Sequence, residues 1–390
     1  MSGDLPERIL AAVQAALPDA VLPAPLHAPE FRGREWDYVK DCLDTGWVSS
    51  VGAYVDRIER DLEAITGVGH AVAVSNGTAA LDVCFRLAGV EPGDEVLTPT
   101  LTFVATANAI TYRGGTPHFV DSEARTLGVD PARLEEHLRT VAKVEGGVCV
   151  NTRTGRPIRA LVIMHVFGHP SDVEGLAEVA ARWNLVLVED AAEALGSRWK
   201  GRHLGGFGRL AALSFNGNKI VTTGGGGAVL TDDPELAKRA KHLTTTAKVP
   251  HRWAFEHDEI GWNYRMPNLN AALGCAQLER LPEMLARKAE LAARYGRAFE
   301  GVEGVRLLRP REDSEVNHWL NALILDRPDR EARDRLLETL NDAGYQARPL
   351  WTLMHRLPMY ADRPRDHLPT AEALEDRVVC LPSSAALADR

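Results

Sequence analysis

Ser214-Phe215-Asn216-Gly217-Asn218-Lys219-Ile220-Val221-Thr222-Thr223, followed by the glycines 224–227, is the stretch that decides how this 390-residue chain is read. A single lysine stands between an apolar, strand-like run at 211–215 and four consecutive glycines. Upstream, Val186-Leu187-Val188 has the pattern of a buried strand and ends on Glu189 and Asp190. Working outward from this pair, the pattern alternates. Residues 71–74, 95–97, 118–120, 160–164 and 186–188 read as strands, and 79–87, 104–111, 131–141 and 173–183 as helices. Strand–helix alternation with apolar strands predicts an α/β fold whose mainly parallel sheet is covered on both faces. Ligands in such sheets gather at the carboxyl ends of the strands, where Ser75, Asp190 and Ser214 all fall.

Helices are expected at 7–17, 34–44 and 53–65 before the alternation begins. Residues 148–150 and 160–164 around the polar turn at 151–156 read as an inserted β-hairpin. Beyond Pro267 a long helical stretch reaches residue 299. A strand at 318–325, a helix at 330–343 and a strand at 378–381 follow. Two domains result: 1–265, large and including the N-terminal helices, and 266–390, a connecting helix with a small C-terminal α/β unit.

Hydrophobic content of 45% with 25% charged residues is ordinary for a soluble globular enzyme. A net charge of −9 argues against nucleic-acid binding, which calls for basic clustering. Cys42, Cys84, Cys149, Cys275 and Cys380 are scattered and odd in number, which reads as reduced thiols in the cytoplasm. No apolar run is long enough for a membrane span and no signal pattern opens the chain.

The chemistry follows from residue types. A desolvated lysine offers a neutral amine that can form a Schiff base. A lysine of this kind together with a strand-end carboxylate is the protein's share of pyridoxal-phosphate chemistry. Asp190 closes an apolar strand, where an ionised carboxylate is costly unless paired, and a protonated pyridine nitrogen is a fitting partner. Glu189 should point to the opposite face and is read as structural.

Ser75-Asn76-Gly77-Thr78 joins a strand to a helix, so free N–H groups at the helix start make an anion site, although alone it is also an ordinary capped turn. Phe103, between a strand and a helix, is placed either to stack on a planar cofactor or to fill the core. The glycines 224–227 lack the ending of a nucleotide P-loop. His165 and His169 have no further ligand cluster nearby, and no metal is expected.

Together these motifs resemble the fold-type-I, pyridoxal-phosphate-dependent nucleotide-sugar aminotransferases of the DegT–StrS group. Segments 46–52, 75–80, 99–110, 189–196, 214–227 and 261–266 carry the resemblance, over most of the chain from Trp47 onward. It implies an aspartate-aminotransferase-like architecture with a seven-stranded sheet and pyridoxal 5'-phosphate as cofactor. Lys219 takes the place of the Schiff-base lysine and proton shuttle, and Asp190 that of the pyridinium partner. Gly77, Thr78 and Ser214 correspond to phosphate ligands, and Phe103 to the stacking ring. Asn263 resembles the asparagine that reaches the phosphate of the neighbouring subunit's cofactor, which implies a homodimer with a shared active site. Glu193, also counted as cofactor-binding, stands where many relatives carry histidine or glutamine.

The subgroup most resembled aminates C4 of UDP-N-acetyl-4-keto-6-deoxyhexoses. The expected reaction moves the amino group of L-glutamate to such a ketone. A C3 ketone, a GDP- or dTDP-linked sugar, and a non-enzymatic regulator remain as alternatives. The related dehydratases are disfavoured because they replace the lysine by histidine. Trp47, Ser49, His257, Arg348 and His355 are candidates for holding the nucleotide diphosphate, each as readily structural.

Overall fold

The computed structural model of the chain describes residues 4–389. Seven apolar runs become the strands β1 (His70–Val74), β2 (Glu95–Pro99), β3 (Thr116–Val120), β4 (Ile158–Met164), β5 (Val186–Asp190), β6 (Leu210–Ser214) and β7 (Gly227–Thr231). They form one sheet in the order β1-β7-β6-β5-β4-β2-β3. β2, β3, β4, β5 and β6 pair in parallel, whereas β7 runs antiparallel to both of its neighbours.

Side chains of successive strand residues point to opposite faces, and both faces are covered. Leu161, Ile163, Leu187, Ala211 and Leu213 pack with residues of the helices Ala53–Thr66, Val173–Arg182 and Asn268–Glu279. Their neighbours Ala160, Val162, Val188, Leu210 and Ala212 pack with the helices Gly77–Leu87, Val104–Tyr112 and Pro234–Thr244. This is the mainly parallel, doubly covered sheet that the alternation predicts.

A second, antiparallel sheet of four strands runs Val305–Leu307, Asn321–Leu325, Val378–Leu381, Arg348–Pro349. The Leu5–Ala16 helix, grouped with the large domain on sequence, packs instead with this part. Its Ile9 and Val13 share a cluster with Leu291, Tyr295, Leu323, Leu340 and Val379. An apolar helical face records that it must be buried but not against which partner.

Two further expectations are corrected. The antiparallel hairpin forms between Ala142–Glu145 and Val148–Asn151, while 158–164 joins the main sheet. Gly146 and Gly147 both have positive φ, which a tight two-residue turn requires. Turn 151–156 then connects to β4 with only a single bridge between Val150 and Pro157. The long helical stretch beyond Pro267 is two helices, Asn268–Glu279 and Leu281–Ala298. Pro282 lies in the first turn of the second, where its missing N–H is harmless. Among the described residues all five cysteines are free and buried, and no helix is long and apolar enough to cross a membrane.

Candidate active site

The carboxyl ends of β1, β4, β5 and β6 open on one cavity of about 330 Å³, within the size range of small-molecule sites. Gly77, Thr78, Phe103, Asp190, Glu193, Ser214 and Lys219 all line it. Each is close in sequence to a strand end or a helix start, which explains why local patterns could indicate them.

At one end, the Gly77–Leu87 helix points its start into the cavity. Asn76 caps it, accepting a hydrogen bond from the Ala79 N–H at 2.8 Å. The N–H groups of Gly77 and Thr78 belong to the first turn, where no intrahelical acceptor exists. Gly77 lies so close to β6 that a Cβ there would stand 2.8 Å from the Cβ of Ser214 and 3.1 Å from its Oγ. The resulting cradle of two N–H groups and two hydroxyls suits a phosphate.

Asp190 is buried at the end of β5. Its hydrogen bonds come from the Thr106 hydroxyl (2.7 Å) and the Ala192 N–H (3.2 Å), both neutral groups. Burial therefore prevails and raises its pKa, despite these bonds and the more distant Lys219. A cationic ring nitrogen would relieve the buried carboxylate. The phosphate cradle, this carboxylate and the lysine between them fit pyridoxal phosphate.

Lys219 is largely sheltered, its side chain 13% exposed. Its Nζ donates to Glu193 Oε1 at 3.1 Å and lies 3.9 Å from the centre of the Trp319 ring. Glu193 Oε2 accepts from the Phe167 N–H at 2.9 Å. Burial pushes the Glu193 carboxyl up to about 7, outweighing the neighbouring ammonium. Phe167 holds a left-handed backbone (φ 56°) ahead of Gly168 (φ 86°), and a Cβ on Gly168 would come 2.0 Å from Asn317 Oδ1. The strained turn is thus fixed between the Glu193 carboxyl and the small domain.

Glu189 faces away from the cavity, as strand alternation requires. It pairs with His165 Nε2 at 2.9 Å and accepts from the N–H groups of Gly205, Phe207 and Gly208. Burial pushes its pKa up, but these partners together hold it below the ordinary value. His169 is buried beside His318, with ring centres 6.5 Å apart.

Three lining or supporting groups escaped the sequence reading. Thr106 lies one helical turn beyond Phe103, and its spacing gave a faint signal. Trp319 and Trp351 come from the small domain and carry no local signal at all. Phe103 itself is half-exposed and meets Trp351 edge-on at 6.2 Å.

The remaining sequence candidates lie elsewhere. Asn263 is exposed and accepts from Arg265 Nε at 2.9 Å. Its loop runs along the sheet edge, where Tyr264 O accepts from the Ser75 N–H at 2.7 Å. Trp47 is exposed, and the Asn268 amide anchors its carbonyl; Ser49 O accepts from Asn268 N. His257 is exposed, with Nδ1 2.8 Å from Thr246 O. His355 is tied to Thr100 (2.7 Å) and Glu372 (3.3 Å), so it links the end of β2 to the Pro369–Glu375 helix outside the cavity. Arg348 faces an adjoining cavity.

The sequence profile of the DegT/DnrJ/EryC1/StrS aminotransferase family matches residues 29–390. GDP-perosamine synthase of Escherichia coli O157:H7 is 38% identical, with 94% of each chain covered. GDP-perosamine synthase of Caulobacter vibrioides is 37% identical, with 93% of each covered. The crystal structure of the aminotransferase TlmJ from Streptoalloteichus hindustanus superposes with a TM-score of 0.84 at 31% identity over 94% of each chain. Both synthases are named for a GDP-linked product, whereas the resemblance had pointed to UDP-linked sugars.

Proposed function

The chain belongs to the DegT/DnrJ/EryC1/StrS family and is a pyridoxal-phosphate-dependent sugar aminotransferase, and on that premise we propose that it aminates the C4 ketone of a GDP-linked 4-keto-6-deoxyhexose with L-glutamate as donor. The names of its relatives support the nucleotide. Perosamine is a 4-amino-4,6-dideoxyhexose, which supports the position. The observation that carries the reading is one cavity in which Lys219, the buried Asp190 and the Gly77–Thr78–Ser214 cradle converge.

Bound pyridoxal phosphate supplies an electron sink for the carbon that loses its proton. Gly77, Thr78 and Ser214 would hold its phosphate, Asp190 would keep its ring nitrogen charged, and Phe103 would cover the ring. Lys219 would take the proton from the donor's α-carbon. In the second half it delivers a proton to the sugar carbon that gains nitrogen. To act as base it must be neutral. Glu193, whose Oε1 accepts from the Lys219 amine at 3.1 Å, can exchange a proton with it and orient it.

Asn263 serves the partner's cofactor in this reading, and the protein is a cytoplasmic homodimer. The exposed side chains of Trp253, Phe255 and Ile260 near that loop support a covered surface there.

The test is turnover with L-glutamate and three ketones: GDP-4-keto-6-deoxymannose, its dTDP-linked counterpart and UDP-2-acetamido-4-keto-2,6-dideoxyglucose. Mass spectrometry should show the amino sugar from the GDP substrate, and none from a Lys219→Ala variant. Amination of the UDP sugar alone would overturn the nucleotide assignment. Near-normal turnover by the variant would overturn the role of Lys219.

A further inference from the structure

Residues 261–266 do not line the cavity, yet they hold the Gly77–Leu87 helix both at its entry and within it. Their backbone extends the sheet edge. Arg265 bridges Val74 at the end of β1, and Tyr264 O accepts from the Ser75 N–H at 2.7 Å. The segment is tied also to the end of the Pro234–Thr244 helix. There the Trp262 N–H donates to Leu243 O (2.7 Å) and the Tyr264 N–H to Thr244 O (3.0 Å). Gly261 has no room for a side chain, since a Cβ would stand 2.6 Å from Ala247 N. Strand alternation puts the rings of Trp262 and Tyr264 on one face, parallel to within 2° with centres 5.4 Å apart. It leaves Asn263 exposed on the other.

Tyr264 Oη donates to Asp82 Oδ2 at 3.1 Å. Asp82 lies in the second turn of the cradle helix, and its side chain is 3% exposed. Its Oδ1 is 2.8 Å from Arg113 Nε without the alignment of a hydrogen bond, so the coupling is ionic. The Arg113 guanidinium in turn lies 4.9 Å from the centre of the Trp262 ring. Carboxylate, guanidinium, indole and phenol thus close on one another. Burial raises the Asp82 pKa against both partners. Burial and then the Asp82 charge push the Tyr264 hydroxyl up to about 12, which keeps it a donor. A buried ion pair adds little stability over apolar side chains of similar size, and its best-attested use is to fix register. So short an edge segment needs that, because a slip of one residue turns every side chain to the opposite face.

We propose that Asp82, Arg113, Trp262 and Tyr264 form a register pin that positions the phosphate cradle. Tyr264 holds the chain at two points: the Ser75 N–H ahead of the Asn76 cap, and Asp82 in the second turn. Two fixed points set the direction of the helix, while the contact of Gly77 with Ser214 sets its distance from β6. The N–H groups of Gly77 and Thr78 are thereby aimed at one place. A slip or tilt would spread these donors, which costs affinity for a phosphate but not for the ring attached to it. None of the four lines the cavity, so they are positioning residues. This rests on the pyridoxal-phosphate reading above and adds the residues that hold its anion site in place.

Absorbance titration of the full chain, freed of cofactor, with pyridoxal phosphate and with pyridoxal tests the pin. Pyridoxal has the same ring and aldehyde but no phosphate. The native protein should bind the phosphate form about a hundredfold more tightly or better, as several charge-assisted hydrogen bonds require. The double variant Asp82→Leu/Arg113→Met replaces the ion pair by apolar side chains, and its thermal midpoint should stay within about 5 °C of the native one. Its preference for the phosphate form should nevertheless fall about tenfold, the worth of one charge-assisted hydrogen bond, while pyridoxal affinity shifts by less than about twofold. Tyr264→Phe, which keeps the ring stack and the ion pair, should lower the preference about threefold.

A double variant that retains the full preference overturns the pin. So does an equal loss of affinity for both ligands, which a general loosening of the cavity would produce. If far-ultraviolet circular dichroism shows that the double variant does not fold, Tyr264→Phe decides, and an unchanged preference there overturns the pin. A native protein that binds pyridoxal as tightly as pyridoxal phosphate overturns the cradle and the pin with it. One that binds neither overturns the cofactor reading itself and everything that rests on it.

Discussion

Replacing Glu193 by glutamine should remove a pH dependence of stability that the buried carboxyl imposes on the cofactor-free protein. Its folded pKa is raised to about 7, against an ordinary 4.5. Between those values the folded protein keeps a proton that the unfolded chain has released, so the group's contribution is full below pH 4.5 and lost as pH rises through 7. At 1.36 kcal/mol per pH unit, the 4.5-to-7 window is worth up to about 3 kcal/mol. Glutamine has nearly the same shape, carries no titrating proton, and can still accept from the Phe167 N–H. Relative to Glu193→Gln, the native protein should therefore lose up to about 3 kcal/mol between pH 5 and pH 8, with most of the change complete near pH 7. Urea unfolding of both proteins at fixed concentration and several pH values measures the difference, in which the other titrating groups largely cancel. A difference that stays constant across this range, or grows in the native protein's favour, would refute the reasoning. It would mean that Lys219 and the Phe167 N–H stabilise the carboxylate enough to overcome its burial.

Asp190→Asn keeps the size and a bond to Thr106 but removes the charge. Turnover should fall by about a hundredfold or more while circular dichroism stays the same, and near-native kcat would contradict the ring-nitrogen role. Gly168→Ala places a methyl 2.0 Å from Asn317 Oδ1 at a φ of 86°. It should cost about 1–3 kcal/mol, read as a lowered thermal midpoint. Lys288, fully buried, donates to the carbonyls of Trp319 and Ser383, and burial pushes its pKa down to about 7 from 10.5. The unfolded chain holds the extra proton in that window, so the native protein should gain stability over Lys288→Met as pH rises from 7 toward 10.5, by up to about 5 kcal/mol. Unfolding at pH 7, 8 and 9 checks the direction.

The site residues divide by how far apart in sequence their contacts lie. Ser214, Asp190 and the Gly77–Thr78 turn sit at the ends of strands or the start of a helix, and local periodicity put them at the same edge of the sheet. The same periodicity turned Glu189 away from Asp190. Trp47, Ser49, His257 and His355 were chosen for their chemical type alone. The fold leaves the first three outside this chain's cavity and uses His355 to link the end of β2 to the Pro369–Glu375 helix.

By itself the sequence determined the alternating α/β sheet, the lysine, its carboxylate and the anion cradle. These depend on backbone repeats and on residues a few positions from a strand end, where spacing along the chain fixes spacing in space. Tertiary structure alone decided that the Leu5–Ala16 helix packs with the small domain and that Trp319 covers Lys219. It also brought the Phe167 N–H to Glu193. Those contacts join segments that no local period relates. They arise from which apolar faces pack together, and packing is a property of the whole chain.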